Sequence, residues 1–168
     1  HNVYGGNSFF KKMYNKGLSK MDHLIAISDY VRETVIQKYN ITNKNISVIN
    51  RGIDTEYFNK PINNNAKEDF ISKHQIDSSK KIILFPARLT RWKGQLEFVD
   101  VINKITIENI LVLFAGDTKN DSYTKQLREK INKSNLNNTF KILGSVNQEE
   151  MRLLYDIADL SVSLPLRA

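Results

Sequence analysis

The stretch KIILFPARLTRWKGQLEFVDVINKI, residues 81–105, decides the fold. Its first part, KIILFPA (81–87), is a short apolar run closed by Pro86, which reads as a buried strand. Its last part, GQLEFVDVINKI (94–105), places Leu96, Val99, Ile102 and Ile105 at helical spacing. Between them, ARLTRWKG carries three cations, Arg88, Arg91 and Lys93, in six residues. A strand, a polar turn and an amphipathic helix therefore follow one another without a gap.

The same unit recurs toward the C-terminus. ILVLFAG (110–116) is a continuous apolar strand, the kind expected when helices cover both faces of a sheet. SYTKQLREKINK (122–133) repeats Tyr123, Leu127 and Ile131 every four residues. TFKILG (139–144) is a third strand, and Asn147 with Glu150 predicts a capping box at the start of the helix QEEMRLLYDIA. DLSVSL (159–164) is a fourth strand. Strand–helix repeats with short connections predict an α/β fold, a parallel sheet with helices on both faces, Rossmann-like in plan.

Toward the N-terminus the pattern changes. Residues 50–80 include Pro61 and three consecutive asparagines and fit a connecting segment, with a short helix around 66–74. Before it, HLIAIS and ISVI (46–49) read as short strands around a helix, SDYVRETVIQKY, that Ser28 caps and Val31, Val35, Ile36 and Tyr39 face inward. Phe9, Phe10, Met13 and Tyr14 suit an opening helix after a turn at Gly5-Gly6. Only two strands precede the connection, and the last strand is followed by Pro165-Leu166-Arg167-Ala168 alone, so the chain reads as a piece of something longer.

Composition excludes several classes. The 168 residues contain no cysteine, which removes disulfides, thiolate metal sites and a cysteine nucleophile. No apolar run reaches the roughly 18 residues of a membrane span. The net charge is +7, from 25 basic and 18 acidic side chains. Residues 1–80 carry +4 of it (12 − 8) and residues 81–168 carry +3 (13 − 10), so the excess is spread. No recognition motif interleaves aromatics with it, and no specific nucleic-acid partner is expected. A non-catalytic α/β module binding nucleic acid or an anionic surface is the competing reading, and peripheral attraction to anionic membrane suits the same charge.

Open parallel sheets bind ligands beyond the carboxyl ends of their strands. Arg88 leaves such an end, and Lys93 stands just before a helix N-terminus, where a phosphate would meet a guanidinium, an ammonium and the helix end. The same residues also suit a solvated cationic loop with Trp92 packed on its own domain. No G-x-G-x-x-G turn or P-loop is present, which disfavours a dinucleotide site or a P-loop hydrolase. Gly116-Asp117 suits a turn as well as a ligand hydroxyl, and Arg51-Gly52 suits a turn as well as an interdomain cleft. His23 and His74 are scattered and read as structural, and no metal-ligand spacing accompanies them.

The ordered set HLIAISDYVRETVIQKYNI, NISVINRGIDTEYF, ILFPARLTRWKGQLEFV, LVLFAGD, FKILGSV and EEMRLLYDIADLSVSLP resembles the family-4 glycosyltransferases, the retaining group with the two-domain GT-B fold. Within it, RGID and PARLTRWKGQ are most similar to bacterial lipopolysaccharide and cell-envelope sugar transferases. The resemblance implies residues 1–55 as the end of an acceptor-side N-terminal domain, 56–78 as an interdomain linker, and 79–168 as an incomplete donor-binding domain. It implies that Arg88 and Lys93 hold the diphosphate of a nucleotide-sugar, and that His1 matches an active-site histidine. Gly144 to Val146 would run along the base, and Arg51-Gly52 would form the interdomain motif, with Arg51 where the family usually has asparagine. The implied reaction passes a sugar, with retention and no required metal, from a nucleotide-diphosphate sugar to a saccharide or lipid-linked acceptor. The implied location is cytoplasmic, at or near the inner face of the membrane. The family's two glutamates spaced eight apart would begin past Ala168, so these residues alone are expected to transfer little or nothing.

Overall fold

The computed structural model describes residues 17, 21–39, 41, 45–105, 108–119, 121–134 and 139–166. The chain divides into two units, His1–Tyr57 and Phe58–Ala168. The expected opening helix and His1 lie outside the described residues.

In the first unit, β1 (Leu24–Ala26) and β2 (Ile46–Val48) pair in parallel, with Leu24 opposite Ile46. The helix between them, α1 (Asp29–Tyr39), begins where the sequence predicts. The Val31 N–H donates to the Ser28 hydroxyl at 3.3 Å, which satisfies one of the free donors of the first turn. Its inward stripe closes a small core: Val35 is buried with Ala26, Ile41 and Ile46, and Val31, Ile36 and Tyr39 pack against them. His23 bonds Ser47 at 2.9 Å and so ties the start of β1 to the middle of β2, a structural role.

The second unit holds a four-stranded parallel sheet in the order β5-β4-β3-β6, from β3 (Lys81–Pro86), β4 (Ile110–Ala115), β5 (Phe140–Gly144) and β6 (Leu160–Ser161). All six residues of β4 are buried, as its continuous apolar run requires. Side-chain alternation divides the core in two. Phe85, Ile110, Val112 and Phe114 face α4 (Gln95–Lys104) and α5 (Asp121–Lys133), meeting Val99, Ile102, Tyr123 and Leu127. Ile82, Leu84, Leu111 and Leu113 face the other way, onto Leu153 and Leu154 of α6 (Gln148–Ile157). The capping box forms as predicted: Asn147 accepts from the Glu150 N–H, and the Glu150 side chain accepts from that of Asn147.

The connecting segment holds the short helix expected around 66–74 as α3 (Asn64–Lys73), preceded by α2 (Thr55–Asn59), and its Phe70 and Ile76 join the core beneath β3. The asparagine run that suggested a loop is a cap: the Asn63 side chain accepts from the N–H groups of Asn65 and Ala66 and starts α3. The fourth strand is shorter than 159–164, since only Leu160 and Ser161 pair with β3. Beyond them the Val162 N–H still donates to the Leu84 carbonyl at 2.8 Å, and Val162 and Leu164 pack against the core.

Strand order fixes where a ligand can approach. The chain adds β4 and then β5 on one side of β3, and crosses back to place β6 on the other. The carboxyl ends of β3 and β6 therefore flank the point where strand order reverses, the crevice that binds ligands in such sheets.

Candidate functional site

At the carboxyl end of β3 the chain turns outward along 87–94 and is held at every other step. Leu89 is fully buried, and its N–H donates to the Asp117 carbonyl at 2.9 Å. An inward Leu89 leaves its neighbour Arg88 exposed at the strand end. Arg91–Lys93 form one 3₁₀ turn, closed by the Lys93 N–H on the Thr90 carbonyl at 2.9 Å. Gly94 then enters the left-handed region at φ 75° and starts α4 without a side-chain cap. Arg88 is exposed, Lys93 is half-buried, and neither Arg88, Arg91 nor Lys93 enters an ion pair among the described residues.

The chain leaving β6 completes the edge. The Leu166 N–H donates to the Trp92 carbonyl at 3.0 Å, and the Leu164 carbonyl comes so close to Gly94 that a Cβ there would sit 2.5 Å from it. The adjoining strand ends are bound as tightly. A Cβ on Gly116 would collide with the Ala87 carbonyl, and the Gly116 N–H donates to the Gly144 carbonyl at 2.8 Å. Gly144 adopts φ 80° beside the bulge where β4 and β5 shift register. Glycine is required at 94 by conformation and space, at 116 by space, and at 144 by conformation.

Asp117 accepts the Lys119 N–H at 2.9 Å, so the Gly116-Asp117 pair makes a turn. Val146 turns its side chain onto the core shared by α3 and α6. Arg51 and Gly52 are exposed in the first unit, and a Cβ on Gly52 would touch nothing within 4 Å. Lys93 and Gly94 thus share one turn, with Arg88 a few residues ahead of it, and Gly144 joins this edge through Gly116, while Arg51 and Gly52 belong to the other unit. His74 caps α3 and lies against Phe70 with ring centroids 4.5 Å apart. Burial and the neighbouring Lys73 hold its pKa below the usual histidine value, which fits a structural imidazole. Among the described residues no cluster of three histidines or carboxylates could hold a metal ion.

Sequence reasoning missed Gln95. Its side chain is fully buried, and its amide donates to the Arg88 carbonyl at 3.0 Å. Tyr123, read only as one of a helical stripe, donates its hydroxyl to the Gln95 amide oxygen at 3.2 Å. A glutamine after Lys-Gly at a helix start reads as surface.

The profile of the family described as glycosyl transferases group 1 matches residues 66–167, and that of Glycosyltransferase Family 4 matches residues 1–57. The chain belongs to the glycosyl transferases group 1 family. A glycosyltransferase from Rickettsia africae has the same fold over 98% of this chain, with TM-score 0.85 and 30% identity. HepE from Anabaena, solved with UDP and glucose, superposes over 94% of this chain with TM-score 0.79 at 20% identity. The phosphatidylinositol N-acetylglucosaminyltransferase gpi3 subunit of Schizosaccharomyces pombe is 27% identical over 90% of this chain. The chain spans 44% of the Rickettsia chain, 42% of HepE and 32% of the gpi3 subunit. This group 1 chain accordingly shows an α/β architecture similar to GT-B glycosyltransferases.

Proposed function

We propose that the protein transfers a sugar from a nucleotide-diphosphate sugar to a saccharide or lipid-linked acceptor, with Arg88 and Lys93 holding the donor's diphosphate. The observation that carries the reading is a cationic edge, with no ion pair to Arg88, Arg91 or Lys93 among the described residues, at the crevice where strand order reverses. An incoming diphosphate is offered a guanidinium fork, an ammonium and the N-terminal end of α4. As the bond between the sugar and the diphosphate breaks, negative charge grows on the departing nucleoside diphosphate. Lys93, held in the 3₁₀ turn, and Arg88, just past the end of β3, stabilise it without reorganising. Retention follows from attack by the acceptor on the face the diphosphate leaves, and the two cations supply charge that would otherwise call for a metal.

UDP and glucose bound to HepE, a protein of the same fold, support a nucleotide-sugar donor. A relative named for phosphatidylinositol supports a lipid-linked acceptor. Among the described residues no helix is long and apolar enough to cross a membrane. The spread +7 charge instead favours peripheral contact with an anionic, cytoplasmic-facing bilayer. Calorimetric titration with UDP, GDP and ADP, and with the matching monophosphates and nucleosides, tests the donor site. The expected result is binding that strengthens from nucleoside to monophosphate to diphosphate and persists in chelator. Salt-sensitive binding to DNA or to anionic vesicles, with no nucleotide bound, would overturn it.

A further inference from the structure

We propose that Gln95 is a positioning residue for the diphosphate grip, and that Tyr123 holds Gln95 in place. The proposal rests on the assignment of Arg88 to the donor diphosphate. Gln95 occupies the first position of α4, where side chains ordinarily turn outward or cap the helix. Here it turns in and is fully buried, a costly placement for an amide unless both of its ends are bonded.

Both ends are bonded, and the chemistry admits one orientation. The Arg88 carbonyl can only accept, so the amide nitrogen faces it, at 3.0 Å. The amide oxygen must then meet a donor, and the Tyr123 hydroxyl supplies it at 3.2 Å. That hydroxyl in turn accepts the Leu96 N–H at 3.3 Å, a donor of the first helical turn with no partner inside the helix. Burial holds the Tyr123 pKa above its usual value, so the hydroxyl keeps the proton it donates.

The relay joins the end of β3, the start of α4 and α5 through a single side chain. It fixes the peptide that carries Arg88 relative to the turn that carries Lys93. It does so with neutral groups: a carboxylate in the same place could not donate to the Arg88 carbonyl and would set a negative charge beside the cations. An apolar side chain of similar volume would fill the space, but would remove the amide donor from the Arg88 carbonyl and the amide acceptor from the Tyr123 hydroxyl.

A double-mutant cycle separates positioning from simple stability. Affinities for the tightest-binding of UDP, GDP and ADP, and for its nucleoside, are measured for the unaltered protein, Gln95→Met, Arg88→Ala and the double variant. Gln95→Met is expected to weaken the diphosphate about fivefold and leave the nucleoside unchanged. In the Arg88→Ala background it should cost nothing further. Equal losses in both backgrounds, or equal losses for nucleoside and diphosphate, would overturn the inference. An unaltered affinity in Gln95→Met alongside a large loss in Arg88→Ala would overturn it too, while sparing the donor site. If Arg88→Ala is itself without effect, the proposed function fails, and positioning of Arg88 fails with it. Should Gln95→Met not fold, Tyr123→Phe removes a single oxygen and runs through the same cycle with the same criteria.

Discussion

At the amino end of the four-stranded sheet, Lys81 meets Asp159 at 2.7 Å and Lys67 meets Asp156 at 3.1 Å. At the carboxyl end, Arg88 and the Arg91–Lys93 turn place three cations close together in sequence, and none enters an ion pair among the described residues. Asp159 also accepts the Ile82 N–H at 2.8 Å and returns its own N–H to the Ile82 carbonyl at 2.9 Å, so its charge serves the fold. The same residue types thus close the sheet at one end and, among the described residues, leave cations without an ion pair at the other. These cations lie at the edge where strand order reverses, where a bound anion would pair with them.

Substitutions at the two ends should behave differently, and the largest effect is expected at Gly116. Gly116→Ala drives a methyl group into the Ala87 backbone, so stability should fall by about 2–3 kcal/mol in denaturant unfolding, with loss of nucleotide affinity as Arg88 moves. Gly94→Ala combines a left-handed backbone with a close Leu164 carbonyl. It should cost about 1–2 kcal/mol and also weaken nucleoside diphosphate binding, because the same turn carries Lys93. Equal binding in either variant would mean that the carboxyl-end turn does not form the donor site.

The amino end should give the smallest effect and one of another kind. The Lys81 ammonium beside Asp159, with the Ile82 N–H, holds that carboxyl below its usual pKa. A depressed carboxylate stabilises the fold above its unfolded pKa, and that contribution is lost as pH falls through the folded value. Asp159→Asn should therefore lower Tm slightly at neutral pH and make the decline below about pH 4 shallower, with nucleotide affinity unchanged. A loss of nucleotide affinity there would erase the distinction between the two ends.

The parts legible in the sequence are those where one local pattern decides. The unbroken run 110–116 could only be a strand covered on both faces, and Asn147 with Glu150 could only be read as a helix start. The place of Arg88 and Lys93 between β3 and α4 was legible because a strand and a helix bracket them at short range. Phe70 and Ile76 were hidden because their polar neighbours masked a core contact made far along the chain, against α6 and β3. Gln95 was hidden for the same reason: its partners are the Arg88 main chain, which no side-chain pattern reports, and Tyr123, a residue whose spacing already explained it as core.

The central claim is that the carboxyl-end cations hold a diphosphate, and the direct measurement is calorimetric titration of the Arg88→Ala/Lys93→Ala variant. Affinity for the preferred nucleoside diphosphate should fall at least about tenfold, equivalent to about 1.4 kcal/mol, while the nucleoside binds as before and the circular dichroism is unchanged. Unaltered diphosphate binding in a folded double variant would contradict the account.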